Sequence, residues 1–133
     1  MGANGVMYFD STYFVKEKRA RAISQGMIDR GLEFGWAANA RAPQLGRFAD
    51  DTFDILKQSG LWAFLVGAES GSESQLATMQ KDILPEDILE AAPVASKHAI
   101  KISYSFIVGF PGPPDQYIAK TSGVRANTTR ELA

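Results

Sequence analysis

Four short apolar runs punctuate the chain, each closing on a polar or glycine-rich cluster, and stretches of roughly helix length separate them. Gly5-Val6-Met7-Tyr8-Phe9 is the first run, closed by Asp10-Ser11-Thr12. Over residues 16–31, Ala20, Ile23, Met27 and Ile28 recur at three-to-four spacing, which predicts a helix ended by Gly31. Residues 33–40, with Phe34 and Trp36, read as a second strand that stops at Arg41 before Pro43. Asp50 or Asp51 is suited to cap a helix through Ser59, with Phe53 and Leu56 inward and Gly60 as terminator. Residues 61–66 are the third strand. Ser72 with Gln75 fits a capping box for a short helix carrying Leu76 and Met79. Pro85, followed by Glu86 and Asp87, starts another helix to about Ala99, in which Pro93 is expected to kink the helix or end it early. Residues 100–108 form the fourth strand, stopped by Pro111, Pro113 and Pro114. A last helix over 117–124 precedes the polar tail 127–133, which has no apolar face.

Strands alternating with helices predict an α/β fold with a parallel sheet and right-handed crossovers. Two architectures compete. A complete (β/α)8 barrel takes about 250 residues, so the 133 residues here supply about half of one. An open doubly wound sheet of four or five strands fits the length without truncation. In either, parallel strands deliver functional groups at their C-terminal ends, so Gly67-Ala68-Glu69-Ser70-Gly71-Ser72 and Gly109-Phe110-Pro111-Gly112 mark the ligand face.

Composition narrows the chemistry. A formal net charge of −1 gives no general attraction to nucleic acid or to an acidic membrane. The longest apolar run, residues 61–68, is far short of the roughly 20 a membrane-spanning helix needs. Nothing reads as a signal peptide, so the cytoplasm is the expected compartment. The sequence has no cysteine and one histidine, His98. Disulfides, a thiolate nucleophile, cysteine-held metal and an all-histidine zinc site are therefore excluded within the chain. The charge run from Lys16 to Arg21 reads as a solvated helix face, His98 as a helix C-terminal residue, and Trp36 and the phenylalanines as core.

Taken in order, the clusters resemble the middle of a radical S-adenosylmethionine (radical SAM) core domain, and most of all its cobalamin-binding branch and the related methylthiotransferases. The resemblance rests on Tyr8-Phe9-Asp10-Ser11, Ala40-Arg41, Gly60, the segment Gly67 to Ser72 with Leu76 and Lys81, and Phe106-Ile107-Val108-Gly109-Phe110-Pro111-Gly112. It implies a partial (β/α) barrel of about four parallel strands with crossover helices, over residues 1–112, followed by the start of a helix and a tail over 113–133. The family's cysteine triplet, which holds a 4Fe-4S cluster, is missing. The expectation is thus an internal fragment covering the family's second to fifth strands, with Pro113-Pro114 departing from the Glu-Thr more usual in relatives. In the family, an electron from the cluster cleaves S-adenosylmethionine, and the resulting 5′-deoxyadenosyl radical takes a substrate hydrogen. The chain alone is expected to be inactive, with S-adenosylmethionine as cofactor and the 4Fe-4S cluster, and cobalamin, belonging to the parent. A small-molecule substrate is implied but not identified. Unpaired strand edges and an uncovered apolar face predict association and marginal folding.

The resemblance assigns cofactor-binding roles residue by residue, each beside a structural alternative. Asp10, with Ser11, would meet the methionyl ammonium, or Asp10 starts a turn or caps the next helix. Arg41 would grip the methionyl carboxylate, or pair at the surface with Asp50 or Asp51. Glu69 would take the ribose diol or an ammonium, with Ser70 and Ser72 adding donors and acceptors, or these residues merely open a helix that Ser72 caps. Gly67 and Gly71 would let the ligand come close. Ile107, Gly109 and Phe110 would hold adenine, or form an ordinary strand-ending turn. Two other classes stay open: a small non-catalytic doubly wound binding module, and a barrel enzyme using Asp10 and Glu69 as an acid/base pair without a cluster.

Overall fold

The computed structural model describes residues 5–10, 13–111 and 118–124. Four parallel strands, β1 (Gly5–Tyr8), β2 (Gly35–Ala40), β3 (Leu61–Glu69) and β4 (Lys101–Phe106), lie in the order β1-β2-β3-β4. The helices between them are α1 (Glu17–Asp29), the short α2 (Ala42–Leu45), α3 (Asp50–Gln58), α4 (Glu73–Thr78) and α5 (Pro85–Lys97). A helical segment follows over 118–124.

This order decides between the two architectures. A doubly wound sheet needs a reversal of strand order so that helices cover both faces. Here each strand pairs with the next, and right-handed crossovers then put every helix on the same side. The core bears this out. Trp36, Ala38, Ala40, Phe64, Val66, Ala68 and Ile102 on one sheet face join Ala20 and Met27 of α1, Phe53 and Leu56 of α3, and Ile88, Ala92 and Ala95 of α5. The sheet is a four-strand arc of a (β/α) barrel, not closed, and the doubly wound reading is overturned. The opposite face carries Met7, Ala37, Asn39, Ala63, Leu65, Gly67, Lys101, Ser103 and Ser105. Asn39, Lys101, Ser103 and Ser105 make it more polar than the uncovered apolar face that the sequence predicts.

Trp36 anchors the helix side. Its ring is fully buried among Tyr8, Tyr13 and Phe14, and its indole N–H donates to the Ser59 carbonyl at 3.0 Å. Phe14, Phe53 and Phe64 are equally buried, whereas Phe9 is 78% exposed, against its expected place in the core. Burial also pushes the Tyr104 hydroxyl above its ordinary range, and it donates to the Ile88 carbonyl at 2.8 Å.

Helix ends follow their sequence signals with instructive departures. Three helices close in Schellman turns. Gly31 (φ 61°), Gln80 (φ 55°) and Ala99 (φ 51°) take the left-handed position after α1, α4 and α5. The N–H groups of Leu32, Lys81 and Ile100 then reach back to the carbonyls of Met27, Leu76 and Ala95. After α3, Gly60 (φ 99°) is required twice over, because a Cβ there would stand 2.2 Å from the Phe34 carbonyl oxygen. Neither Asp50 nor Asp51 caps α3. Ala49 holds that position, its N–H taken by the Glu17 carboxylate at 2.9 Å, and the two aspartates lie in the first turn. Pro93 does not end α5, which continues to Lys97, because Ala91, Ala92 and Ala95 hold the helix on the sheet through buried contacts. Helix α2, just after β2, was not expected: Pro43 reads as a strand stop and serves as a first-turn helix residue. Among the described residues, no helix is long and apolar enough to cross a membrane. Residues 127–133 lie outside those described.

Gly60→Ala should lower the unfolding free energy by about 3 kcal/mol, since both the left-handed backbone and the Phe34 contact oppose a side chain; urea denaturation of the two proteins measures it. A second outcome concerns acid. Hydrogen bonds from Lys97 and His98 hold the Asp50 carboxyl below its ordinary 3.8. A carboxylate depressed on folding stabilises the fold above its unfolded value and loses that contribution as pH falls through the folded one. Stability should therefore fall more steeply below about pH 4 in the native chain than in Asp50→Asn, as read from denaturation midpoints across that range.

Candidate functional site

The C-terminal ends of the parallel strands form one rim, and the residues singled out by sequence stand along it. Asp10 is two residues beyond β1, Arg41 directly follows β2, Glu69 ends β3, and Ile107 follows β4. Between β2, β3 and β4 the rim encloses a cleft of about 400 Å³, lined by Asn39, Ala40, Arg41, Leu65, Gly67, Gln80, Lys81, Ile83 and Ser105. Small-molecule sites start at roughly this size.

Glu69 has the most unusual setting. Ala68 is an extra residue in β3, between the Gly67–Ser105 and Glu69–Phe106 pairs, and the resulting bulge leaves Glu69 at φ 61°. A glutamate in the left-handed region costs roughly 1–2 kcal/mol, and such strain concentrates at functional sites. The Glu69 carbonyl fixes the turn by accepting the Ile107 N–H at 2.8 Å. The bend lays the carboxylate back over Gly67, where a Cβ would stand 2.7 Å from Glu69 Oε1. Gly67 thus makes room for the chain's own glutamate. Oε1 accepts from Lys81 Nζ at 2.9 Å, with the Glu69 side chain 14% and the Lys81 side chain 42% exposed.

Gly71 makes room for protein as well. A Cβ there would meet the Lys120 carbonyl oxygen at 2.5 Å, so the 118–124 segment packs directly on this loop. Thr121 Oγ1 accepts the Gly71 N–H at 3.0 Å and lies 3.2 Å from Ser70 Oγ. Ser70 is fully buried; its Oγ donates to Gln75 Oε1 and accepts the Ser72 N–H. Ser72 occupies the N-cap position of α4, but the expected capping box does not form: its hydroxyl contacts Ser74 Oγ, and Gln75 is engaged by Ser70. These two serines shape the loop that follows Glu69.

Arg41 is exposed, and its guanidinium Nη2 donates to the Asp82 carbonyl at 3.3 Å. Its expected surface partners are engaged elsewhere, Asp50 by Lys97 and His98, Asp51 by Arg21. Asp10 pairs with Arg19 of α1 at 2.8 Å, on the helix side of the rim. Beneath it Tyr13 is buried, which pushes its hydroxyl up to about 12. Ile107 is 42% exposed, Gly109 has φ 84°, and Phe110 is half-buried. Ser11 and Gly112 lie outside the described residues. The cleft therefore brings together Arg41, Gly67 and Lys81, the partner of Glu69, while Asp10 stands apart across β2. Sequence reasoning did not assign Asn39, Lys81 or Ser105. Asn39 and Ser105 carried a signal, a polar residue at alternating positions of otherwise apolar strands.

Residues 2–122 match the family model described as the Radical SAM superfamily. The chain belongs to that superfamily. A Pyrococcus horikoshii protein named as an uncharacterized methyltransferase is 28% identical over 120 residues, which is 90% of this chain and 26% of the relative. The radical S-adenosylmethionine methyltransferase TsrM from Kitasatospora setae, with cobalamin and a 4Fe-4S cluster bound, superposes with a TM-score of 0.77 at 12% identity, over 95% of this chain and 26% of that one. Coproporphyrinogen III oxidase (HemN) from Escherichia coli, a radical SAM enzyme, gives 0.73 at 11% identity, over 94% and 29%. At such identities the structural likeness is one of fold. The chain spans about a quarter of the length of the curated relative it matches.

The residues present do not fit an iron–sulfur cluster. Its ligands are thiolates, the radical SAM chain has no cysteine, and among the described residues no three His, Asp or Glu converge. Their chemistry is compatible with a zwitterionic adenosyl compound: an exposed guanidinium held, among the described residues, only by the Asp82 carbonyl, a carboxylate paired with Lys81, and Gly67 stand at one rim.

Because Glu69 is held at a positive φ, Glu69→Gly should raise the unfolding free energy by about 1 kcal/mol while removing the site's carboxylate. Calorimetric melting of the two chains checks it; a lowered melting temperature would show that the Lys81 pair outweighs the backbone strain.

Proposed function

We propose that this chain is the S-adenosylmethionine-binding part of a longer radical SAM enzyme, with the 4Fe-4S cluster held by residues outside it. The observation that carries this reading is the shared rim of strands β2–β4, where Arg41 and Lys81 line one cleft and Glu69 and Ile107 stand at the ends of β3 and β4 in a chain of this superfamily. When bound beside a reducing cluster, S-adenosylmethionine supplies a radical able to abstract hydrogen. This chain's residues contribute binding and orientation. Arg41 offers a planar fork to the methionyl carboxylate. Glu69 accepts from the ribose hydroxyls, and its bulged, low-exposure setting favours a partnered carboxylate. Asp10 and Ser11 serve the methionyl ammonium from the end of β1, with Arg19 as the partner Asp10 holds meanwhile. Ile107 and Phe110 cover the adenine, and Gly109 frees backbone groups for its edge. Ser70 and Ser72 act at one remove, by holding the loop behind Glu69. Holding the ligand still near its target is the main catalytic contribution available to such a surface.

Two relatives named as methyltransferases support methyl transfer as the reaction of the full protein, with cobalamin as a second cofactor bound outside this chain. Free edges of β1 and β4 are then where the remainder of the barrel pairs, and the cytoplasm is the fitting compartment for an oxygen-sensitive cluster.

The test uses S-adenosylhomocysteine, which keeps the ammonium, carboxylate, ribose and adenine and needs no cluster chemistry. The native chain should bind it by isothermal titration calorimetry, and Arg41→Gln and Glu69→Gln should each weaken binding about tenfold, as loss of a charge-assisted hydrogen bond does. A cooperatively melting chain with no response at millimolar ligand would instead support a non-catalytic module.

A further inference from the structure

We infer that Lys81 is a displaceable mask on Glu69: its ammonium occupies the carboxylate until an adenosyl ligand's hydroxyls replace it. This rests on the reading of Glu69 given above and adds a gate to it. Three observations converge. Lys81, not Glu69, contributes to the lining of the cleft, so the lysine stands between ligand space and the carboxylate it holds. The two partners are unequal in freedom. Glu69 is pinned by its bulge, its positive φ and the Ile107 N–H. Lys81 is anchored only through its backbone, whose N–H closes the turn after α4 on the Leu76 carbonyl. Its side chain is 42% exposed and makes no other ion pair among the described residues, so it is the partner that moves. Finally, the left-handed Gln80 immediately before it sets the direction in which the lysine leaves the backbone.

The charges give the exchange its sense. A buried carboxylate without a partner is costly, so Glu69 needs a donor at all times. A half-exposed ammonium is readily rehydrated, and an ion pair of this exposure is worth a factor of about five or less. S-adenosylmethionine carries an ammonium and a sulfonium, and a lysine left in the wall would repel both. Moving Lys81 into water removes that repulsion while the ribose hydroxyls satisfy Glu69. The pair thus keeps the site formed when empty and makes ligand entry conditional on a small swing.

Two measurements test this on the whole chain. Lys81→Met should bind S-adenosylhomocysteine about two- to fivefold more tightly than the native chain, and Lys81→Arg, which keeps the pair, should not. In the native chain, acetylation of Lys81 by an amine-reactive ester, read by mass spectrometry, should rise when ligand is added. A lysine that positions Glu69 or touches the ligand predicts the opposite in both: weaker binding for Lys81→Met and protection from acetylation, and either result overturns the mask. The acetylation arm decides the matter even if Lys81→Met fails to fold. The two readings fail separately. Unchanged affinity in Glu69→Gln would sink the role of Glu69 itself, whereas weakened Glu69→Gln with no gain in Lys81→Met would sink only the mask.

Discussion

Everything in this molecule depends on the crossovers falling on one side of the sheet. Sequentially ordered parallel strands with right-handed connections leave no alternative. The aromatic and aliphatic side chains of one sheet face are therefore buried under α1, α3 and α5 around Trp36, and the other face carries mainly small and polar residues beside Met7 and Leu65. The same constraint collects the strand C-termini on one rim. A site built there needs no long-range coincidence, because each strand brings its own terminal residue to it.

On that rim the chain arranges space for its own atoms before any ligand's. Gly67 admits the Glu69 carboxylate and Gly71 admits the backbone of the 118–124 segment; at the opposite strand ends Gly60 likewise admits the Phe34 carbonyl. Glycines beside a presumed pocket invite the reading that a ligand fills them. Here two of them serve to let a strained glutamate lie flat and a later segment dock against the loop behind it. Thr121, Ser70 and Gln75 then form a buried hydrogen-bonded set whose effect is to fix where Glu69 begins. The strand-end backbone is thus held by hydrogen bonds, while the long side chains of Arg41 and Lys81 are exposed.

The missing cysteines set the boundary of what this chain can do. The chain belongs to the Radical SAM superfamily, has no cysteine to hold a cluster, and spans about a quarter of a relative's length. Its four-strand arc keeps a well-formed core because the helix-covered face is complete within the arc: Phe14, Trp36, Phe53 and Phe64 are buried without help from further strands.

Much of this was legible in the amino-acid pattern. The βα rhythm, all four strands, the helices ended by Gly31 and Gly60, and the clusters at the strand ends follow from local periodicity and terminator residues, whose physics acts within a few positions. Family membership was also readable, since it rests on ordered motifs. What the sequence left open were quantities fixed across distance. Open sheet or barrel arc depended on strand order. The fate of Pro93 depended on burial of its alanine neighbours, which outweighs one lost hydrogen bond. Glu69 and Lys81 are twelve residues apart, on opposite sides of α4, and no spacing rule joins them. Their pairing exists only because a bulge turns one back over the strand while a left-handed turn brings the other round to meet it.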